Sequence, residues 1–220
     1  MALTKFTWVP ATLNQTTLRQ TILDKQITFV SGPAGSGKSF CSILTALELL
    51  GMSIKNGGVE KIIVSRPIVA AGRSFGFLPG NLMEKVEPFM QSVKDTIIKS
   101  DHPKMQSLIE GEGLSIIPLE VCRSLTFDDA FVFLDEAQNS TISQMEMFLT
   151  RLGPNSRMVI SGDRNQKDIS GPDGFSHALR LFANNDRFGK AKLSIDDIQR
   201  HGIVKEVVLA YARDREEESW

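Results

Sequence analysis

Gly32, Pro33, Ala34, Gly35, Ser36, Gly37, Lys38 and Ser39 follow the spacing G-x-x-x-x-G-K-S, and their types suit the gripping of a chain of phosphates. The glycines let successive backbone N–H groups curl inward, and a helix starting at the end of the string adds its positive N-terminal dipole. Lys38 could neutralise β- and γ-phosphate oxygens, and the Ser39 hydroxyl could ligate Mg²⁺, which takes few protein oxygens beside phosphates and water. Phe40 comes next and would flank the bound nucleotide. Further on, the apolar run Ala130 to Leu134 ends in two adjacent carboxylates. Asp135 would orient Mg²⁺ through its water shell, while Glu136 could accept a proton from an attacking water. Together the two motifs specify the chemistry of a bound nucleoside triphosphate far more narrowly than either alone. A third apolar run, residues 157–161, leads into Gly162-Asp163-Arg164-Asn165-Gln166, where the Gln166 amide could sense the γ-phosphate.

These groups need a scaffold that brings several strand ends to one edge. Apolar runs at 26–30, 61–65, 114–119, 130–134 and 157–161 alternate with helical periodicity, which predicts a three-layer α/β fold with a mostly parallel central sheet. After the glycine-rich loop, Phe40, Ile43, Leu44, Leu47 and Leu50 define the buried face of a helix. Asn81 with Glu84, and Thr141 with Gln144, have capping-box spacing, and Met145, Phe148, Leu149 and Leu152 form a core stripe after the second box. Residues 66–80, rich in glycine and proline, predict a long functional loop.

The 220 residues carry 25 Lys+Arg against 26 Asp+Glu, a net charge of −1, which excludes polyanion binding through bulk positive charge and leaves a local basic patch open. Two cysteines without C-x-x-C spacing indicate neither a disulfide framework nor a zinc site, and Cys41 is expected in the core. No stretch of 18 apolar residues occurs, so a cytoplasmic protein is expected, with one domain over 1–212 and a charged, solvent-facing tail over 213–220. His102 and His177 read as ordinary surface or turn residues.

In order along the chain, GPAGSGKS, SRPIVAAGRSFGFLPGNLMEKVEPF, FVFLDEAQNSTISQMEMFLTRLG, SGDRNQKDI and DIQRHGIV resemble the PhoH family of P-loop ATPases, from about Asn14 to about Tyr211. The resemblance implies a RecA-like core similar to the first domain of superfamily-one helicases, ATP hydrolysis with Mg²⁺, a ring-shaped homo-oligomer, often a hexamer, and RNA or single-stranded DNA as partner. The length is similar to that of the short, phage-encoded branch. Gln15 resembles the helicase glutamine that reads the adenine edge; without the family it is a polar helix start. Arg66, after the second strand, could hold phosphate or form a surface ion pair. Arg151 in FLTRLG and Arg200 in QRH, beside His201, are candidates for the arginine that stabilises transition-state charge. With no second RecA-like domain expected, that arginine would come from a neighbouring subunit unless Arg200 folds back in cis.

Where the family carries an arginine-rich R-G-R-T run, this chain has Arg123-Ser124-Leu125-Thr126, leaving Arg123 as the only arginine for the phosphate or nucleic-acid contact that the resemblance implies there. GPDGFSHAL replaces a commoner S-G-L run, in what is expected to be a surface turn. For nucleic acid, Arg73 with Phe75 and Phe77 could pair phosphates and stack bases, or the two rings could pin their loop to the core. Lys85, Lys94, Lys99 and Lys104 would extend that track or be merely solvated. The expected function is Mg²⁺-ATP hydrolysis coupled to remodelling of, or translocation on, RNA or single-stranded DNA. The alternative is a nucleotide-switched RNA-binding or assembly module with little motor activity.

Overall fold

Residues 130–134 explain their own lack of alternation: Phe131 and Phe133 enter one hydrophobic core, Val132 and Leu134 the other, and all four are fully buried. Successive strand side chains point to opposite faces, so a strand covered on both sides has no position for a polar residue. The computed structural model describes residues 6–68, 82–199 and 202–217. Its strands are β1 (Ile27–Ser31), β2 (Lys61–Arg66), β3 (Leu114–Pro118), β4 (Ala130–Leu134), β5 (Arg157–Gly162) and β6 (Phe188–Lys192). They form one sheet in the order β3-β2-β4-β5-β1-β6, with every pairing parallel. The five expected strands lie within one residue of their predicted bounds. β6 was not expected: only Gly189 and Ala191 are buried, Lys190 and Lys192 face solvent, and such half-covered alternation suits an edge strand.

One face of the sheet is covered by α1 (Leu13–Asp24), α2 (Lys38–Leu50), α3 (Leu82–Lys99) and α4 (Met105–Ile109), which contribute Leu18, Ile22, Leu47, Ile97 and Leu108 to its core. The other face is covered by α5 (Ile142–Leu149) and α6 (Gly174–Leu181) through Met145, Phe148, Phe175 and Ala178. The architecture is therefore the three-layer α/β fold that the motifs require. The Thr141–Gln144 capping box is present and starts α5 with both reciprocal bonds made. The Asn81–Glu84 box lies outside the described residues and side chains, as does the greater part of the 66–80 loop, including Arg73, Phe75 and Phe77.

Three expectations need correction. α2 is buried on nearly all sides from Cys41 to Leu50, whereas Phe40 is 45% exposed; side chains of a first turn lean towards the helix N-terminus, here out past the phosphate loop. His102 is buried, its Nδ1 accepting from Lys104 N at 3.1 Å and its ring edge-on to Phe6. The GPDG segment is no surface turn throughout: Asp173 caps α6, and Gly174 is so close to α5 that a Cβ would sit 2.5 Å from Thr141 O. α7 (Gly202–Glu217) runs through most of the 213–220 tail, where Asp214 is exposed. No helix among the described residues is long and apolar enough to cross a membrane.

Candidate functional site

Because Ser31 pairs with Gly162, Leu134 with Ile160, and Ser65 with Leu134, the carboxyl ends of β1, β5, β4 and β2 finish level. The glycine-rich loop, Asp163, the Asp135–Glu136 pair and Arg66 therefore open side by side on one edge. β5 lies between the strand that feeds the loop and the strand that feeds the carboxylates.

The loop is shaped by two glycines in particular. A Cβ on Gly32 would approach Leu193 O to 2.8 Å, and Gly37, the N-cap of α2, has φ +97° with the Gln15 amide 3.0 Å from where its Cβ would be. Lys38 curls back over the loop, Nζ donating to Gly32 O at 2.6 Å and Pro33 O at 3.0 Å. Burial lowers the Lys38 pKa from its ordinary value, against the opposing pull of Asp163, Asp135 and Glu136. Ser39 Oγ donates to Asp135 Oδ2 at 2.9 Å across the end of β5. Burial raises the Asp135 carboxyl pKa, the adjacent Glu136 charge raises it further, and the Ser39 hydrogen bond and Arg66 partly offset both. A hydroxyl and a buried carboxylate meeting at one point form the hard-oxygen pair that Mg²⁺ takes beside a triphosphate, so these residues fit that ion.

Glu136 has φ +52°, a left-handed conformation that costs a non-glycine residue about 1–2 kcal/mol. Its carboxylate accepts from Gln138 Nε2 at 2.5 Å, and Oε1 is 3.8 Å from the Arg66 guanidinium, which also lies 5.3 Å above the Phe89 ring. Between Ser39, Arg66, Asp135, Glu136 and α3 there is a cavity of about 300 Å³, with Phe89, Ser92 and Thr96 on its α3 side. A family model described as PhoH-like protein matches residues 8–212. The chain belongs to the PhoH-like proteins.

Curated relatives within the family include a PhoH-like protein of Bacillus subtilis, 41% identical over 84% of this chain and 58% of its own length. A PhoH-like protein of Mycobacterium tuberculosis is 39% identical over 94% of this chain and 58% of its own, and Protein PhoH of Escherichia coli K12 is 36% identical over 87% and 54%. This chain thus spans a little over half the length of those relatives. Among solved structures, the Pif1 helicase from Candida albicans aligns with 85% of the chain and 40% of its own, at a TM-score of 0.43 and 13% identity.

In this PhoH-like chain the fold brings Lys38, Ser39, Asp135, Glu136 and Arg66 together, with Gln15 buried behind the loop and donating to Ser36 O at 3.3 Å. Gln166 lies in the turn after β5, its side chain exposed and its N–H bonded to Asp163 O at 3.1 Å. Arg151 is not brought to the site. α5 runs back from the carboxyl edge, so Arg151 lands where its carbonyl takes the N–H of Phe127, ahead of β4, and its Nη1 donates to Arg123 O at 3.2 Å. Arg200 and His201 lie outside the described residues.

Spacing alone does not single out Gln138 or Asn139, yet both are buried and join the loops that follow β4 and β5. Gln138 donates to Glu136 and to Gln166 O, and its Oε1 accepts from Asp163 N; Asn139 exchanges two hydrogen bonds with Asp168. Two amides one residue beyond a pair of carboxylates carry no local sign of this role, because their partners lie 25 to 29 residues away. Replacing Gln138 by Ala is expected to lower kcat about tenfold with nucleotide affinity near wild type, measured by steady-state phosphate release and equilibrium binding.

Both cysteines are buried, Cys41 behind Gly37 and Cys122 beside Ser65. Burial pushes the Cys41 thiol up to about 12 and raises that of Cys122. Neither should react with iodoacetamide at pH 8 in the folded protein, and both should in denaturant, as counted by intact mass.

Proposed function

We propose that this chain is a Mg²⁺-dependent ATPase that couples hydrolysis to remodelling of, or translocation on, RNA or single-stranded DNA, working in the cytoplasm as a ring-shaped homo-oligomer. The observation that carries the reading is the 2.9 Å contact between Ser39 and Asp135, one residue from each motif, with Lys38 and Glu136 beside them. Backbone N–H groups of the loop and the N-terminus of α2 receive the β- and γ-phosphates, and Lys38 exchanges its two loop carbonyls for phosphate oxygens. Mg²⁺, held by Ser39 and Asp135, would neutralise charge on the same oxygens. Glu136, aimed by Gln138, accepts the proton of the water that attacks the γ-phosphorus as the bond to the β–γ bridging oxygen breaks. Gln166, in the exposed turn after β5, would sense the γ-phosphate through its amide. Arg151 sits away from its own site, which favours service to a neighbouring subunit, and its buried Nε has no hydrogen-bond partner among the described residues.

The test is phosphate release by the purified chain, with and without Mg²⁺, poly(U) or poly(dT). Mg²⁺-dependent release raised about tenfold or more by a single strand is expected. A slow rate indifferent to both polymers overturns the motor and favours a nucleotide-switched module. Mixing Lys38→Ala with Arg151→Ala or Arg200→Ala subunits tests the shared site, since recovered activity requires an arginine acting in trans.

A further inference from the structure

We infer that Asp197 is a positioning residue for the phosphate loop, acting through the first turn of α1 and Gln15; this rests on the reading of that loop as a nucleotide site. Asp197 ends a short 3-10 turn, Ile195–Asp197, that follows β6, and it is 2% exposed. One carboxylate oxygen accepts from the Thr12 hydroxyl, the other from Asn14 Nδ2 at 2.9 Å, Ser194 N at 2.6 Å and Ser194 Oγ at 3.1 Å. Burial works against its charge, yet the Thr12, Ser194 and Asn14 donors prevail and hold the carboxyl below its usual range. The charge is thus fixed, and what it fixes in turn is the start of α1, 183 to 185 residues away in sequence.

Thr12 caps α1 by accepting from Gln15 N at 3.2 Å, so the hydroxyl that binds Asp197 also sets the turn on which Gln15 stands. The Gln15 amide is consumed by the protein itself. Its Nε2 donates to Ser36 O at 3.3 Å and to Asp197 O at 3.4 Å, and its Oε1 accepts from Ala11 N at 3.0 Å. An amide nitrogen has two protons, and both are engaged, one of them on the loop. Leu193 closes the same wall from β6, its N–H on Ser31 O at 2.8 Å and its carbonyl against Gly32. The glycine-rich loop is therefore backed by the Leu193–Asp197 segment and Gln15, and its curvature depends on a carboxylate that touches neither phosphate nor base.

The test separates support of the phosphate cradle from recognition of the base by using a ligand with no base. Affinities of Mg·ATP and Mg·tripolyphosphate are measured by equilibrium binding for wild type, Lys38→Ala, Asp197→Asn and Gln15→Ala, with circular dichroism confirming folded protein. Asp197→Asn and Gln15→Ala are each expected to weaken both ligands about tenfold and in parallel. Loss of ATP binding with tripolyphosphate unchanged would mean that these residues serve the base, and it overturns the inference, as does wild-type affinity for both ligands. If Asp197→Asn does not fold, Asn14→Ala, which removes a single donor to Asp197, takes its place with the same two outcomes at about threefold. Wild type that binds neither ligand, or binds both as Lys38→Ala does, removes the nucleotide site itself, a result distinct from the others.

Discussion

Glu136→Gln is expected to bind ATP with wild-type affinity and to hydrolyse it about 10²- to 10⁴-fold more slowly, the range lost with a positioned general base. The amide is nearly isosteric with the carboxylate and can still meet the Gln138 side chain, which contacts Glu136 at 2.5 Å, so the loop should keep its shape. What disappears is the carboxylate basicity that takes the water's proton. The 3.8 Å pairing with Arg66 disappears too, but with side chains 45% and 31% exposed it contributes little to folding. Single-turnover phosphate release checks the rate, and equilibrium binding of a fluorescent ATP analogue checks the affinity. A variant that hydrolyses within threefold of wild type would remove Glu136 from the chemistry.

Lys38→Ala is expected to do something different, lowering nucleotide affinity and kcat together, the latter by about 10²- to 10³-fold. The ammonium is the one cation inside the loop, and three carboxylates, Asp163, Asp135 and Glu136, act on it. Its removal leaves those charges facing incoming phosphates. The two loop carbonyls that it bonds, Gly32 O and Pro33 O, also lose their donor, and the loop should relax. Binding titration with Mg·ATP, beside thermal unfolding to verify the fold, separates this outcome from general destabilisation. A variant with unchanged affinity would overturn the assignment of the loop.

Much of this site was legible because its residues are tied to strand ends, and strand ends are marked by the change from apolar to polar residues. Lys38, Ser39, Asp135 and Glu136 fall where the β1 and β4 runs stop, and parallel pairing places both stops on one edge. β6 escaped notice because an edge strand buries only every second residue, and Phe188-Gly-Lys-Ala-Lys has no apolar run. Gln138 and Asn139 escaped for another reason. Amides do not announce burial, and their importance lies in partners 25 to 29 residues away, a distance no local pattern encodes. Phe40 shows the converse: helical spacing put it on the core face, but its place in the first turn sends it outward.

Gln138 and Asn139 together also tie the two turns of the site to each other. The turn carrying Glu136 and the turn carrying Gln166 are pinned at two places, Gln138 to Gln166 O and Asp163 N, and Asn139 to Asp168. Two such ties restrict sliding and swivelling of one turn against the other. α5 begins three residues after Asn139, at Ile142. A displacement of the Gln166 turn would therefore strain the Gln138 side chain that holds Glu136, and α5, which starts beside these turns, ends next to Arg151 at the opposite edge of the sheet.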